Sequence, residues 1–159
     1  MISLPTTEVF AYISNFSQLY EWDDNVRQGE RIDLGAIKKG SQFRFIYSFA
    51  GQTQELEYTL EEIKHNQLLR LTCQGRNFSA IDEITLTSVN SNKTKVTYQA
   101  NIKVHSKLAD FWLTPIMKKI GDRLVLRLKE VLEEQEVLAS TGSPLNLLNL
   151  PYRFSAKGW

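Results

Sequence analysis

Apolar side chains recur at every second position over much of the first hundred residues, and beyond Ser106 their spacing changes to three and four. Phe43, Phe45, Tyr47 and Phe49 alternate with Gln42, Arg44 and Ser48, and Leu56, Tyr58 and Leu60 are opposed by Glu55, Glu57, Thr59 and Glu61. Leu69, Leu71 and Cys73 continue the pattern, followed by Phe78, Ala80, Ile84 and Leu86, then by Val96, Tyr98, Ala100, Ile102 and Val104. Alternation with one polar face predicts the strands of an antiparallel meander. Turn residues at 50–52, 65–67, 75–77 and 91–93 separate the strands, and a weaker strand pattern occupies 26–34.

The second regime predicts one long helix from about residue 106 to 138. Leu113, Met117, Ile120, Leu124, Leu128 and Val131 hold one face of it. At 1.5 Å per residue it reaches roughly 50 Å, and it needs a long apolar surface to lie on. The sheet is the surface available, and a helix laid across a curved sheet can enclose space. Ser106 is the expected cap and Asp110 favours the positive end of the dipole, while Pro115 predicts a kink or a break that leaves 108–114 as a separate segment.

Two short helices are expected before the strands. Ile2 to Leu4 reads as the end of a strand, with Thr6 or Thr7 capping a helix whose buried side is Val9, Phe10, Ile13 and Phe16. A further helical turn is expected over 17–22, and Glu21, Asp23 and Asp24 read as a solvent turn.

At 159 residues the chain has the length of one domain, large enough to bury a core without staples. A formal charge of +1 gives no global field towards nucleic acid, which is not an expected partner. Cys73 is the only cysteine, so an internal disulfide and a cysteine-cluster metal site are excluded; His65 sits in a polar turn and His105 just before the helix cap, and neither metal nor cofactor is expected. The N-terminus has no basic stretch followed by an apolar core, which makes the cytoplasm the default compartment. Residues 1–141 are expected to form the domain and 142–159 a tail.

The run from Glu8 to Asp23, the strand patterns after it, and the segment from Leu113 to Lys129 together resemble the polyketide cyclase/dehydrase and lipid-transport family. That family belongs to the START and birch-pollen-allergen-like superfamily. The resemblance implies an α+β helix-grip fold, an antiparallel sheet of six to seven strands wrapped around the long C-terminal helix, with two short helices near the N-terminus. It also implies a cavity between sheet and helix for apolar or amphipathic small molecules. The chain departs from the pattern in having few residues before Pro5, so an edge of the sheet is expected to be shortened. The tail, with Leu147, Leu148, Leu150, Tyr152 and Phe154, is a candidate to cover it.

Tyr47, Tyr58 and Tyr98 are in phase with their strands' apolar residues and should point inward, either as core tyrosines or as lining of a ligand cavity. Asp82 shares the parity of Ala80 and Ile84, which aims a carboxylate inward; a bulge that rotates it out, or a pair with Arg44 or Arg76, is the alternative. Trp22 packs against one end of the core, and in the resemblance lies at the mouth of the cavity. Phe45, Met117, Ile120 and Leu124 complete the candidate ligand-binding set. The basic face of Lys118, Lys119, Arg123, Arg127 and Lys129 reads as solvated, with a membrane surface as a less favoured partner. No Ser-His-Asp spacing or phosphate loop is present.

The expected function is therefore binding or carriage of a small hydrophobic or amphipathic molecule by a monomer or homodimer, without catalysis. A cyclase or dehydratase acting on a polyketide-like substrate, with Asp82 as its base, is the alternative, and a protein-interaction module using the tail is a third.

Overall fold

The computed structural model describes residues 1–49, 51–76, 78–104 and 107–140, excluding the side chains of Phe49 and of 107–119. Helix α1 (Thr6–Ser14) and a 3₁₀ segment (Phe16–Glu21) precede β1 (Val26–Arg31), β2 (Gln42–Phe49), β3 (Gln52–Lys64), β4 (Leu68–Gln74), β5 (Phe78–Asn90) and β6 (Lys93–Val104), and helix α2 (Lys107–Ser140) follows. The six strands form one antiparallel sheet in sequence order. This is the predicted α+β helix-grip architecture.

Alternation places Phe43, Phe45, Leu56, Leu60, Leu71, Ala80 and Ile84 on the buried face, where Leu124, Leu128 and Leu132 of α2 join them in one core. The outer face carries cross-strand ion pairs, such as Arg44 with Glu57 at 2.9 Å and Arg70 with Glu83 at 2.8 Å. Glycines let backbones meet closely. A Cβ at Gly121 would lie 2.9 Å from the Tyr98 carbonyl oxygen, which shows how near α2 comes to β6. At Gly29 a Cβ would sit 2.3 Å from the Ser17 carbonyl oxygen, so the 3₁₀ segment rests directly on β1.

The six strands fall within the expected six to seven, and the N-terminal strand end is a single bridge: Ile2 and Thr94 exchange backbone hydrogen bonds of 2.8 and 2.9 Å, and the Thr94 hydroxyl donates to Leu4 O at 2.8 Å. Several expectations need correction. Pro5, not Thr6 or Thr7, occupies the cap position of α1, and the Thr6 hydroxyl lies 3.0 Å from that of Thr94. Strand β1 ends at Arg31, whose guanidinium binds Asp33 bidentately at 2.9 and 2.6 Å and so fixes the following loop.

Helix α2 runs without a break through Pro115. Proline removes one donor, and the hydrogen bonds on either side continue the helix. The buried stripe ends on Leu132 at 5% exposure, with the expected Val131 only partly buried. The expected cap Ser106 and the tail after residue 140, with its proposed edge-covering leucines and aromatics, lie outside the described residues.

Candidate functional site

The sheet and α2 do not fill the space between them. A cavity of ≈ 250 Å³ lies towards the end of the sheet that carries the β2–β3 hairpin and the β4–β5 turn. Its apolar wall is built by Leu19, Leu56, Phe78, Ile102, Ile120 and Leu124, and its polar groups include Tyr47, Tyr58, Tyr98, Asp23 and Asp82. At the other end of the sheet α1 closes the core, with Phe10 packed 5.0 Å from the ring of His65. A wider depression between α1 and the β3–β4 turn is lined by Thr6, Thr7, Lys64, Asn66 and other polar groups, and presents no comparable apolar wall.

Asp82 is 4% exposed and points inward, as its parity predicts. Strand pairing explains its surroundings. Asp82 lies opposite Ala100 on β6, so Tyr98, opposite Ile84, is its diagonal neighbour on the same face. On the other side Leu71 of β4 is opposite it, and beyond Cys73 lies Tyr58 of β3. The Tyr98 and Tyr58 hydroxyls donate to the Asp82 carboxylate. The bulge and the ion-pair alternatives both fail: Arg44 is engaged by Glu30, Glu55 and Glu57 on the outer face, and Arg76 is exposed.

Burial pushes the Asp82 carboxyl up to about 6; the tyrosine hydrogen bonds oppose this, and the nearby charge of Asp23 adds to it. Burial also raises both tyrosine hydroxyls, which therefore stay protonated as donors. Cys73 is pushed up to about 11 by burial and by Asp82, so it is a thiol with no nucleophilic character at neutral pH.

Asp23 corrects another expectation. It is 3% exposed rather than part of a solvent turn, and lines the same cavity. Its Oδ1 accepts from the backbone N and Nδ2 of Asn25, both at 2.9 Å, and its Oδ2 accepts from the Tyr47 hydroxyl at 3.1 Å. Burial raises its pKa against these hydrogen bonds. The Asp-x-Asn spacing at 23–25 carries the signal of such a turn, in which the carboxylate folds back on its own backbone.

The other expected site residues divide. Tyr47, Tyr58, Tyr98, Ile120 and Leu124 line the cavity together with Asp82. Trp22 and Phe45 stand behind it, in the core: the Trp22 ring packs edge-on against Phe16 and Tyr98 at 6.1 Å, and Phe45 lies 5.6 Å from Tyr58. They support the tyrosines. The Met117 side chain lies outside those described. Gln54, Phe78, Ala100, Ile102 and Val104 line the cavity as well, and their strand parity was the available signal for the last three.

Among the described residues no group of three or more potential metal ligands occurs. No helix among them is long and apolar enough to cross a membrane.

No family model and no curated protein matches the chain. Solved structures do match. A START superfamily protein from Mycobacterium smegmatis superposes with a TM-score of 0.61 at 14% identity, covering 86% of this chain and 93% of its own. Ara h 8.0201 gives 0.60 at 13% identity, over 83% and 93%. The di-domain ARO/CYC StfQ from the steffimycin biosynthetic pathway gives 0.63 at 13% identity, over 86% of this chain and 44% of that one. Likeness at this level of identity speaks for the fold alone: the chain shares the helix-grip fold of these structures.

Proposed function

We propose that the chain binds or carries a small hydrophobic or amphipathic molecule in the cavity between the sheet and α2. The observation that carries this reading is the cavity itself: a largely apolar wall with carboxylates and tyrosine hydroxyls converging on it, the usual composition of a small-molecule site. At ≈ 250 Å³ it is at or below the low end of the roughly 300–1,000 Å³ typical of ligand pockets. A compact ring system fits such a volume better than a long acyl chain.

A mutation that fills the cavity tests the reading. Ala100 lies in β6 opposite Asp82 and faces the cavity, and phenylalanine is well tolerated in strands. In Ala100→Phe, calorimetric titration with naphthylmethanol should show affinity reduced by about tenfold or more, a loss of about 1.4 kcal/mol, while the melting temperature stays close to that of wild type. Unchanged affinity in a folded variant would remove the cavity as the binding site.

The second reading is an enzyme of the cyclase or dehydratase kind. It is favoured by one observation, a buried carboxyl brought to about 6 beside two hydroxyl donors, since a general base works best near the ambient pH. StfQ, a di-domain ARO/CYC from the steffimycin biosynthetic pathway, shares the fold. The non-catalytic reading is preferred because the tyrosines that hold Asp82 are needed as donors to it, and the other acidic groups of the wall, Asp23 and Tyr47, are hydrogen-bonded to each other, with Asn25 also donating to Asp23.

A further inference from the structure

Glu83, the residue after Asp82, faces outward and is paired with Arg70 at 2.8 Å. Asp82 faces inward and has no such partner among the described residues. Its hydrogen bonds come from Tyr98 and Tyr58, the charge that acts on it is the like charge of Asp23, and no basic group among the described residues supports its ionised form. Asp23 is in the same position, with Asn25, Tyr47 and the acidic Asp24 around it. Buried carboxylates are as a rule paired with a positive group, and here two of them border one cavity, at 4% and 3% exposure, with no basic side chain among the described residues lining it.

The lone pairs are not exhausted. An ionised carboxylate offers about four acceptor sites, and the tyrosine hydroxyls account for two of those on Asp82. Among the described lining residues nothing brings positive charge to the pair of carboxylates, and the space beside them is open to a ligand. The apolar wall of Leu56, Phe78, Ile102, Ile120 and Leu124 determines the rest of that ligand.

Resting on the binding function proposed above, we infer that the cavity takes a compact apolar molecule bearing a protonated amine, with the ammonium group on Asp82 and Asp23 beside it as the second acceptor. Charge-assisted hydrogen bonds are roughly twice as strong as neutral ones, and the low-dielectric wall strengthens them further. An anionic ligand meets two like charges and is rejected.

Three probes with the same ring separate the charge from the body: naphthylmethylamine, naphthylmethanol and naphthoate, titrated calorimetrically into the full chain at about pH 8, above the value of about 6 to which Asp82 is pushed and where the amine is still largely protonated. The expected order is the amine tightest, by about tenfold or more over the alcohol, with naphthoate weakest. Asp82→Asn should bring amine and alcohol to within about threefold of each other, chiefly by weakening the amine. Asp23→Asn, which leaves Asp82 in place, should reduce the preference in part and serves if the first variant fails to fold. Equal binding of amine and alcohol, or tightest binding of naphthoate, overturns the inference and leaves the binding function standing. An amine preference that survives both substitutions also overturns it, by placing the ammonium elsewhere. Failure of all three probes to bind overturns both.

Discussion

Asp82→Asn is expected to make the protein more stable at about pH 8, by about 2–3 kcal/mol, and to change little at about pH 4. The carboxyl of Asp82 stands at 3.8 when unperturbed and is pushed up to about 6 in the fold, chiefly by burial. Each pKa unit corresponds to about 1.4 kcal/mol. The folded chain holds the proton more tightly than the unfolded chain, so the slope of stability with pH is negative between the two values. Well below 3.8 the side chain is neutral in both states and costs nothing, and near pH 4 only a small part of the penalty has developed. As pH rises through about 6 the folded protein must bear a buried charge, and the full penalty then persists to higher pH.

Asparagine keeps the shape and accepts from a tyrosine without that charge. For a chain of this length the gain corresponds to a rise in melting temperature of roughly 5–10 °C. Thermal unfolding of wild type and variant at both pH values gives the measurement. An Asn variant less stable than wild type at about pH 8 would show that the fold itself compensates the charge, and would remove the reason to look for a ligand that does so. A residue that lowers stability and borders a cavity marks a site where function has been kept at the expense of stability.

Trp22→Ala should cost about 3–5 kcal/mol, the range for truncating a large buried aromatic. Trp22 is 2% exposed, fills the space between the 3₁₀ segment and the sheet, and meets Phe16 and Tyr98 edge to face. Its loss leaves a void behind Tyr98, so the hydroxyl that orients Asp82 is also loosened. Urea unfolding should therefore show a large fall in midpoint, and whatever fraction remains folded should bind the naphthyl probes more weakly than wild type. A cost below about 1 kcal/mol would mean that Trp22 is not the end-plug of the core that its contacts indicate.

The sheet and the long helix were legible because each has one wet face, and alternation over strands such as 56–60 and 69–73 fixes which side chains turn inward. The inward direction of Asp82 followed from the same parity, without any knowledge of its neighbours. What alternation does not contain is register. That Tyr58 and Tyr98 converge on Asp82 depends on the offsets between β3, β4, β5 and β6, which are decided by turns and bulges such as the irregularity between Leu60 and Glu62.

Asp23 was misread for a different reason. Acidic residues next to one another ordinarily mark water, and only the fold-back on Asn25 and the Tyr47 hydroxyl, 24 positions away, make burial tolerable. Trp22 was expected at the cavity mouth from the family resemblance, and Phe45 was added to the candidate set as an inward aromatic of its strand. Direction alone does not separate the residues that line a cavity from those that stand behind it. The continuous helix at Pro115 shows that the loss of one hydrogen bond need not end a helix of 34 residues.

The location of a bound molecule tests the account most directly. With the chain saturated by the tighter-binding of the naphthyl probes, intermolecular nuclear Overhauser effects from the ring protons should reach the methyl groups of Leu56, Ile102, Ile120 and Leu124, which line the cavity. Effects confined to exposed methyls such as those of Leu34 and Leu126, or none from the cavity wall at saturation, would contradict it.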